Sequence, residues 1–194
     1  MSTGIESTED AAVPMSARAR AALASGYTIR VAQIADAARL ASVHAQVWRE
    51  TYTGLMPPEV LDGLDARAGE ERWEQILTAD PKTRPQTLVG VDPGGRIVAL
   101  GSAGRARDED APVGLELWAI NVLASDHGTG LGDLLLAHLV GEAPAYLWVV
   151  DGNARAIAFY TRHGFVVDDG RPDARFGVRE LRMSRGSHEW RDTH

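Results

Sequence analysis

Hydrophobic and polar positions change period several times along the chain, and each change marks an element. Tyr27-Thr-Ile-Arg-Val31 alternates and is rich in β-formers, which predicts a first strand. From Asp36 to Thr51, Ala37, Leu40, Ala41, His44, Val47, Trp48 and Thr51 fall on one face of a helix. Gly54 and Met56-Pro57-Pro58 end it, and a second helical region from Glu59 to about Thr78 is expected to break near Gly63. Gln86 to Asp92 and Arg96 to Arg107 read as a hairpin around Asp92-Pro-Gly-Gly95. A fourth strand, Leu115 to Leu123, precedes a helix from Gly130 to about Val140, whose Leu131, Leu134, Leu135 and Leu139 keep the helical period. Ala145 to Val150 is the next strand. The helix from Asn153 to His163 is closed by Gly164, and Phe165 to Val167 and Phe176 to Met183 complete the set. The order predicts an α/β (α+β) fold. Residues 1–25 are polar and alanine-rich and are expected as a flexible extension, with Ala17 to Ala24 a short-helix candidate; 26–185 form one domain and 186–194 a polar tail.

The junction between the fourth strand and its helix carries the chemistry. Gly128, Gly130 and Gly132 alternate there and remove the Cβ atoms that would hold a ligand off the backbone. The first-turn N–H groups and the helix dipole then favour an anion, and a phosphate fits best. No Gly-Lys-Ser/Thr follows, which excludes a P-loop. Gly-x-Gly-x-x-Gly fails in both registers, at Asp133 and at Leu135.

What remains has the form Gln/Arg-x-x-Gly-x-Gly, with His127 leading and Gly130 and Gly132 as the glycines. It resembles the turn that cradles the coenzyme A pyrophosphate in the GNAT superfamily of acetyl-CoA-dependent N-acetyltransferases. Asn153-Ala-Arg-Ala-Ile-Ala-Phe-Tyr160-Thr-Arg-His-Gly164-Phe165 resembles that family's second cofactor motif, and Val47-Trp-Arg-Glu-Thr-Tyr52-Thr-Gly-Leu-Met-Pro57 resembles a first-helix signature of one branch. The resemblance covers roughly Tyr27 to Ser184. It implies a mixed, mostly antiparallel sheet flanked by helices, with the fourth and fifth strands splayed around the cofactor. It also implies acetyl-CoA as co-substrate, an amine acceptor, and cofactor contacts from Val122, Leu123, His127, Gly128, Thr129, Gly130, Leu131, Gly132, Asp133, Asn153, Ala156 and Tyr160.

Composition narrows the mechanism. With 194 residues, 44% of them hydrophobic, the chain can bury one substantial core. A formal charge of −7 argues against nucleic acid as a partner. There is no cysteine, so neither a thiolate metal site nor a cysteine-acyl intermediate is available. No metal-ligand spacing is seen. No apolar run reaches a membrane span and no leader pattern is evident, so a cytoplasmic protein is expected. Direct attack of the amine within a ternary complex is the economical route.

By analogy with the family, the Val122 backbone N–H is the oxyanion donor and Tyr160 the acid that protonates the leaving thiolate. Glu116 is the candidate base, with Asn121 and the loop Asp108 to Asp110 as lesser alternatives. His127 and Asp133 depart from the family pattern, and Asp133 is expected to repel a pyrophosphate. His44, Trp48, Tyr52, Leu55 and Asn121 are candidates for the acceptor pocket. A small-molecule amine is favoured over a protein, and homodimerisation stays open. A non-catalytic acyl-CoA-binding sensor is the alternative reading, and a nucleotide-phosphate binder a third.

Overall fold

A computed structural model describes residues 14–168 and 177–186. The elements run α1 (Ala17–Ala24), β1 (Thr28–Val31), α2 (Ala37–Tyr52), α3 (Pro58–Asp62), α4 (Ala66–Thr78), β2 (Gln86–Val91), β3 (Ile97–Arg105), β4 (Leu115–Val122), α5 (Leu131–Leu139), β5 (Ala145–Val150), α6 (Ala154–Arg162), β6 (Val166–Val167) and β7 (Glu180–Arg185). One seven-stranded sheet takes the order β1-β2-β3-β4-β5-β7-β6. Its neighbours pair antiparallel, except β4 and β5, which run parallel. This is the mixed, mostly antiparallel, helix-flanked sheet that the family resemblance implies.

α5 is the most apolar helix, and the reason it is buried is legible in its leucines. Leu131, Leu134, Leu135, Leu136 and Leu139 are all buried, each contributing about 2 kcal/mol. Leu131 and Leu139 pack against Gly90 of β2 and Gly101 of β3. On the other side of the sheet, α2 packs against β3, β4 and α4.

The feature that shapes the site is a break between β4 and β5. They pair only at Glu116↔Tyr146 and Leu117↔Leu147. On the β3 side, Ser102 faces Ala119 while Ala103 faces Leu117, so Trp118 is an extra residue in the strand. Such a bulge bends its strand and raises the local twist. β4 therefore leaves β5 immediately past Leu117, and a fork opens.

Two boundaries differ from expectation. Residues 14–25 are not a loose extension: Ser16 caps α1 by accepting from the Ala19 N–H at 3.1 Å, and Ala19 and Ala22 are fully buried. Small alanine faces let α1 approach α5 closely, although they give little hydrophobic periodicity. The last strand starts at Glu180, later than expected. Residues 1–13, Phe176 and 187–194, on which other expectations fall, lie outside the described residues.

Candidate active site

The fork opens into a cavity of about 960 Å³ that runs from the glycine turn, past the unpaired part of β4, to a chamber under α2 and α4. That volume is typical of a small-molecule site. Its turn end is held from below. The Tyr27 hydroxyl donates to Asp126 at 2.9 Å, and the Thr129 hydroxyl donates to the Asp126 carbonyl at 2.8 Å. Gly128, Gly130 and Gly132 line the cavity. Gly130, the N-cap of α5, has φ +90°, and Gly132 lies between Phe159 of α6 and Val122 of β4.

Backbone polarity along β4 follows from its pairing. The Leu123 N–H donates to the Val98 carbonyl of β3 at 3.0 Å. In an antiparallel ladder the next residue faces the other way, so the N–H and C=O of Val122 point into the fork. The ring of His127 reaches the same place and donates through Nε2 to the Val122 carbonyl at 2.8 Å. Burial lowers the His127 pKa, and the bond to Val122 opposes that shift.

Two of the expected cofactor contacts, Leu123 and Thr129, do not line the cavity. The Leu123 side chain is in the core and its amide is engaged by β3. Thr129 braces the turn, its hydroxyl also accepting from the Leu131 N–H at 3.3 Å. Asp133 does not present a bare negative charge, because its carboxylate is buried against His163 Nε2 at 3.0 Å. Burial alone would raise its pKa; the bond to His163 and the charges of His163, Arg162 and Arg18 outweigh that and hold it below the ordinary value. Asn153 Oδ1 accepts from the Ala156 N–H at 3.1 Å and so caps α6, while Asn153 and Ala156 both line the cavity.

Glu116 is the main correction. It is 1% exposed, and its Oε2 accepts from the Arg107 backbone N–H at 3.1 Å, from Arg107 Nε at 3.0 Å and from the Tyr146 hydroxyl at 3.0 Å. Its other oxygen takes a further bond from Arg107. A carboxylate so occupied is not a base for substrate; it clamps the last β4–β5 pair at the root of the fork. Burial, together with the Glu116 charge, pushes the Tyr146 pKa up to about 12. Two of the lesser candidates are also engaged, Asp108 by the Trp148 indole N–H at 2.7 Å and Asp110 by Arg182 at 3.1 Å.

The chamber at the far end is aromatic. His44 stacks tilted on Trp48 at 4.8 Å, and Trp48 meets Tyr52 edge-on at 5.4 Å. Burial, and secondarily Arg72, lowers the His44 pKa to about 4, so the ring is neutral near pH 7. Asn121 lines the cavity. Leu55 does not; it is 38% exposed. Its amide and that of Met56 both bond the Tyr52 carbonyl, and the resulting turn buries Met56 instead.

Tyr160 is buried where the chamber meets the fork. Desolvation, and then the neighbouring Tyr52, raises its pKa, so the hydroxyl keeps its proton. Burial and the Glu180 charge raise the Tyr52 pKa, and a hydrogen bond from Asn153 opposes them. Glu180, at the start of β7, is the acidic residue that sequence reasoning missed. It is buried and lines the cavity, but a single acidic residue at a strand end carries no pattern.

The profile of the acetyltransferase (GNAT) family matches residues 46–165. The chain is 29% identical over 139 residues to the uncharacterized N-acetyltransferase YuaI of Bacillus subtilis, across 69% of this chain and 76% of that one. It is 37% identical over 123 residues to the mycothiol acetyltransferase of a Parafrankia species, across 54% of this chain and 36% of that longer one. Among solved structures, the PaiA N-acetyltransferase of Thermoplasma acidophilum, in complex with coenzyme A, superposes with a TM-score of 0.64. It does so at 18% identity over 80% of this chain and 97% of that one, a likeness of fold.

Proposed function

The chain belongs to the acetyltransferase (GNAT) family, and from that premise we propose that it transfers an acetyl group from acetyl-CoA to a primary amine by direct attack in a ternary complex. The observation that carries this reading is the continuous cavity joining the glycine turn, the fork and the aromatic chamber. The turn fits a phosphate-bearing ligand: a Cβ built on Gly128 meets nothing within 4 Å, so the backbone is open to close approach. The PaiA relative, crystallised with coenzyme A, supports the same ligand here.

Bound acetyl-CoA supplies an activated thioester. Val122 donates its backbone N–H to the carbonyl oxygen as charge develops there, a contribution on the order of 3 kcal/mol. Tyr160, protonated across the working pH range, gives its proton to the sulfur as the C–S bond breaks and is reprotonated by the second proton that the attacking nitrogen sheds on becoming an amide. Glu180 replaces Glu116 as the carboxylate that draws in the acceptor's ammonium and receives its proton. Trp48, His44 and Tyr52 wall the acceptor with neutral aromatic surface, which favours a small amine with an apolar body.

A thiol-release assay with acetyl-CoA and a panel of primary amines tests this reading on the wild type, Glu180→Gln and Glu116→Gln. Release should depend on amine. Glu180→Gln should lose about a hundredfold in kcat with an unchanged melting temperature. Glu116→Gln should instead lose about 2 kcal/mol of stability, below the usual cost of breaking a buried pair because Arg107 is half exposed. A stable, inactive Glu116→Gln enzyme beside an active Glu180→Gln enzyme would reverse the two assignments.

A further inference from the structure

The chain carries a formal charge of −7, yet Arg18, Arg155 and Arg162 all line the cavity that contains the glycine turn. They come from two helices far apart in the chain, Arg18 from α1 and Arg155 and Arg162 from α6. Arg18 belongs to α1, which precedes the stretch 46–165 matched by the family. A Cβ on Gly130 would lie 2.1 Å from the Arg18 carbonyl oxygen, so the backbone of α1 sits directly on the turn. The Arg18 side chain is exposed at that rim. Its charge and that of Arg162 both act on Asp133 in the first turn of α5, and Arg155 acts on His127. Against these three guanidinium groups stand two carboxylates at this end of the cavity, Asp133, already bonded to His163, and Asp126, which accepts from the Tyr27 hydroxyl.

We propose that α1 forms an outer wall of the coenzyme site and that Arg18 binds the phosphate oxygens of coenzyme A, together with Arg155 and Arg162. This rests on the reading that the glycine turn holds the coenzyme. A guanidinium matches phosphate oxygens with paired N–H donors, and such charge-assisted bonds are about twice as strong as neutral ones. α1 is thereby part of the site.

Titration calorimetry on the full chain with coenzyme A and with dephospho-coenzyme A tests this in the wild type, Arg18→Gln and Arg20→Gln. Arg20 lies on the same helix but bonds the Met15 carbonyl, so its variant removes the same charge from another face. Arg18→Gln should weaken coenzyme A binding about tenfold, and Arg20→Gln by less than about twofold because exposed charges are screened. If dephospho-coenzyme A loses as much, Arg18 holds the pyrophosphate; if it loses nothing, Arg18 holds the 3′-phosphate. Either result supports the site. Wild-type affinity in Arg18→Gln, or equal losses in both variants, would overturn it while leaving the transferase reading intact. Should Arg18→Gln unfold early, Arg18→Lys restores the charge: recovered affinity supports the site and unrecovered affinity overturns it. A wild type that binds neither compound would overturn both readings.

Discussion

Replacing Gly130 with alanine is expected to weaken coenzyme A binding about a hundredfold and to lower the melting temperature by roughly 10 °C. Two costs combine. Gly130 has φ +90°, where a side chain costs about 1–2 kcal/mol. The added Cβ would also fall 2.1 Å from the carbonyl oxygen and 2.7 Å from the carbonyl carbon of Arg18. Those are backbone atoms of a helix whose Ala19 and Ala22 are fully buried, so no rotamer change relieves the overlap. Either α1 lifts off or the turn changes shape. A total of about 3 kcal/mol corresponds to the stated shift for a chain of this size. Gly128→Ala is the internal comparison: φ there is +80°, but a Cβ meets nothing within 4 Å. It should cost only the strain. Calorimetric titration and thermal melts of both variants check this, and equal effects would show that conformation alone, not the seat of α1, requires these glycines.

Tyr160→Phe is expected to lower kcat about a hundredfold while leaving coenzyme A affinity and melting temperature nearly unchanged. The ring is buried, edge-on to Phe159 at 5.1 Å and to Phe165 at 5.9 Å; phenylalanine keeps those contacts. Only the hydroxyl is lost, and burial beside Tyr52 keeps that group protonated, as an acid must be. Steady-state kinetics over a range of acetyl-CoA concentrations separates the cases. A variant with full kcat would reduce Tyr160 to a packing residue. A variant with unchanged kcat and raised KM would make it a binding group.

Much of this architecture was legible because its signals are local. The leucine period of α5, the Asp92-Pro-Gly-Gly95 hairpin and the break near Gly63 each lie within one short stretch. The glycine turn could be read for the same reason, and it lines the cavity. Partners distant in sequence were not legible. Glu116 points toward the fork as strand alternation suggests, but Arg107 and Tyr146, nine and thirty residues away, occupy its oxygens. Asp133 looks exposed and repulsive until His163, thirty residues on, is brought against it. His127 has the reach of a phosphate donor, yet its ring turns inward to the Val122 carbonyl. The bulge at Trp118 leaves no mark in the hydrophobic pattern, although it opens the fork. α1 is the converse case: its alanines are too small to give a strong moment and small enough to seat it on the turn.

The central claim is that the glycine turn and fork hold coenzyme A. The most direct test is the melting temperature of the wild-type protein alone, with acetyl-CoA, with coenzyme A and with ATP. A ligand present at about 100 times its dissociation constant adds roughly 2.7 kcal/mol, a rise of several degrees. The account predicts that rise with both coenzyme A species and not with ATP. No rise with either coenzyme A species, or an equal rise with ATP, would contradict it.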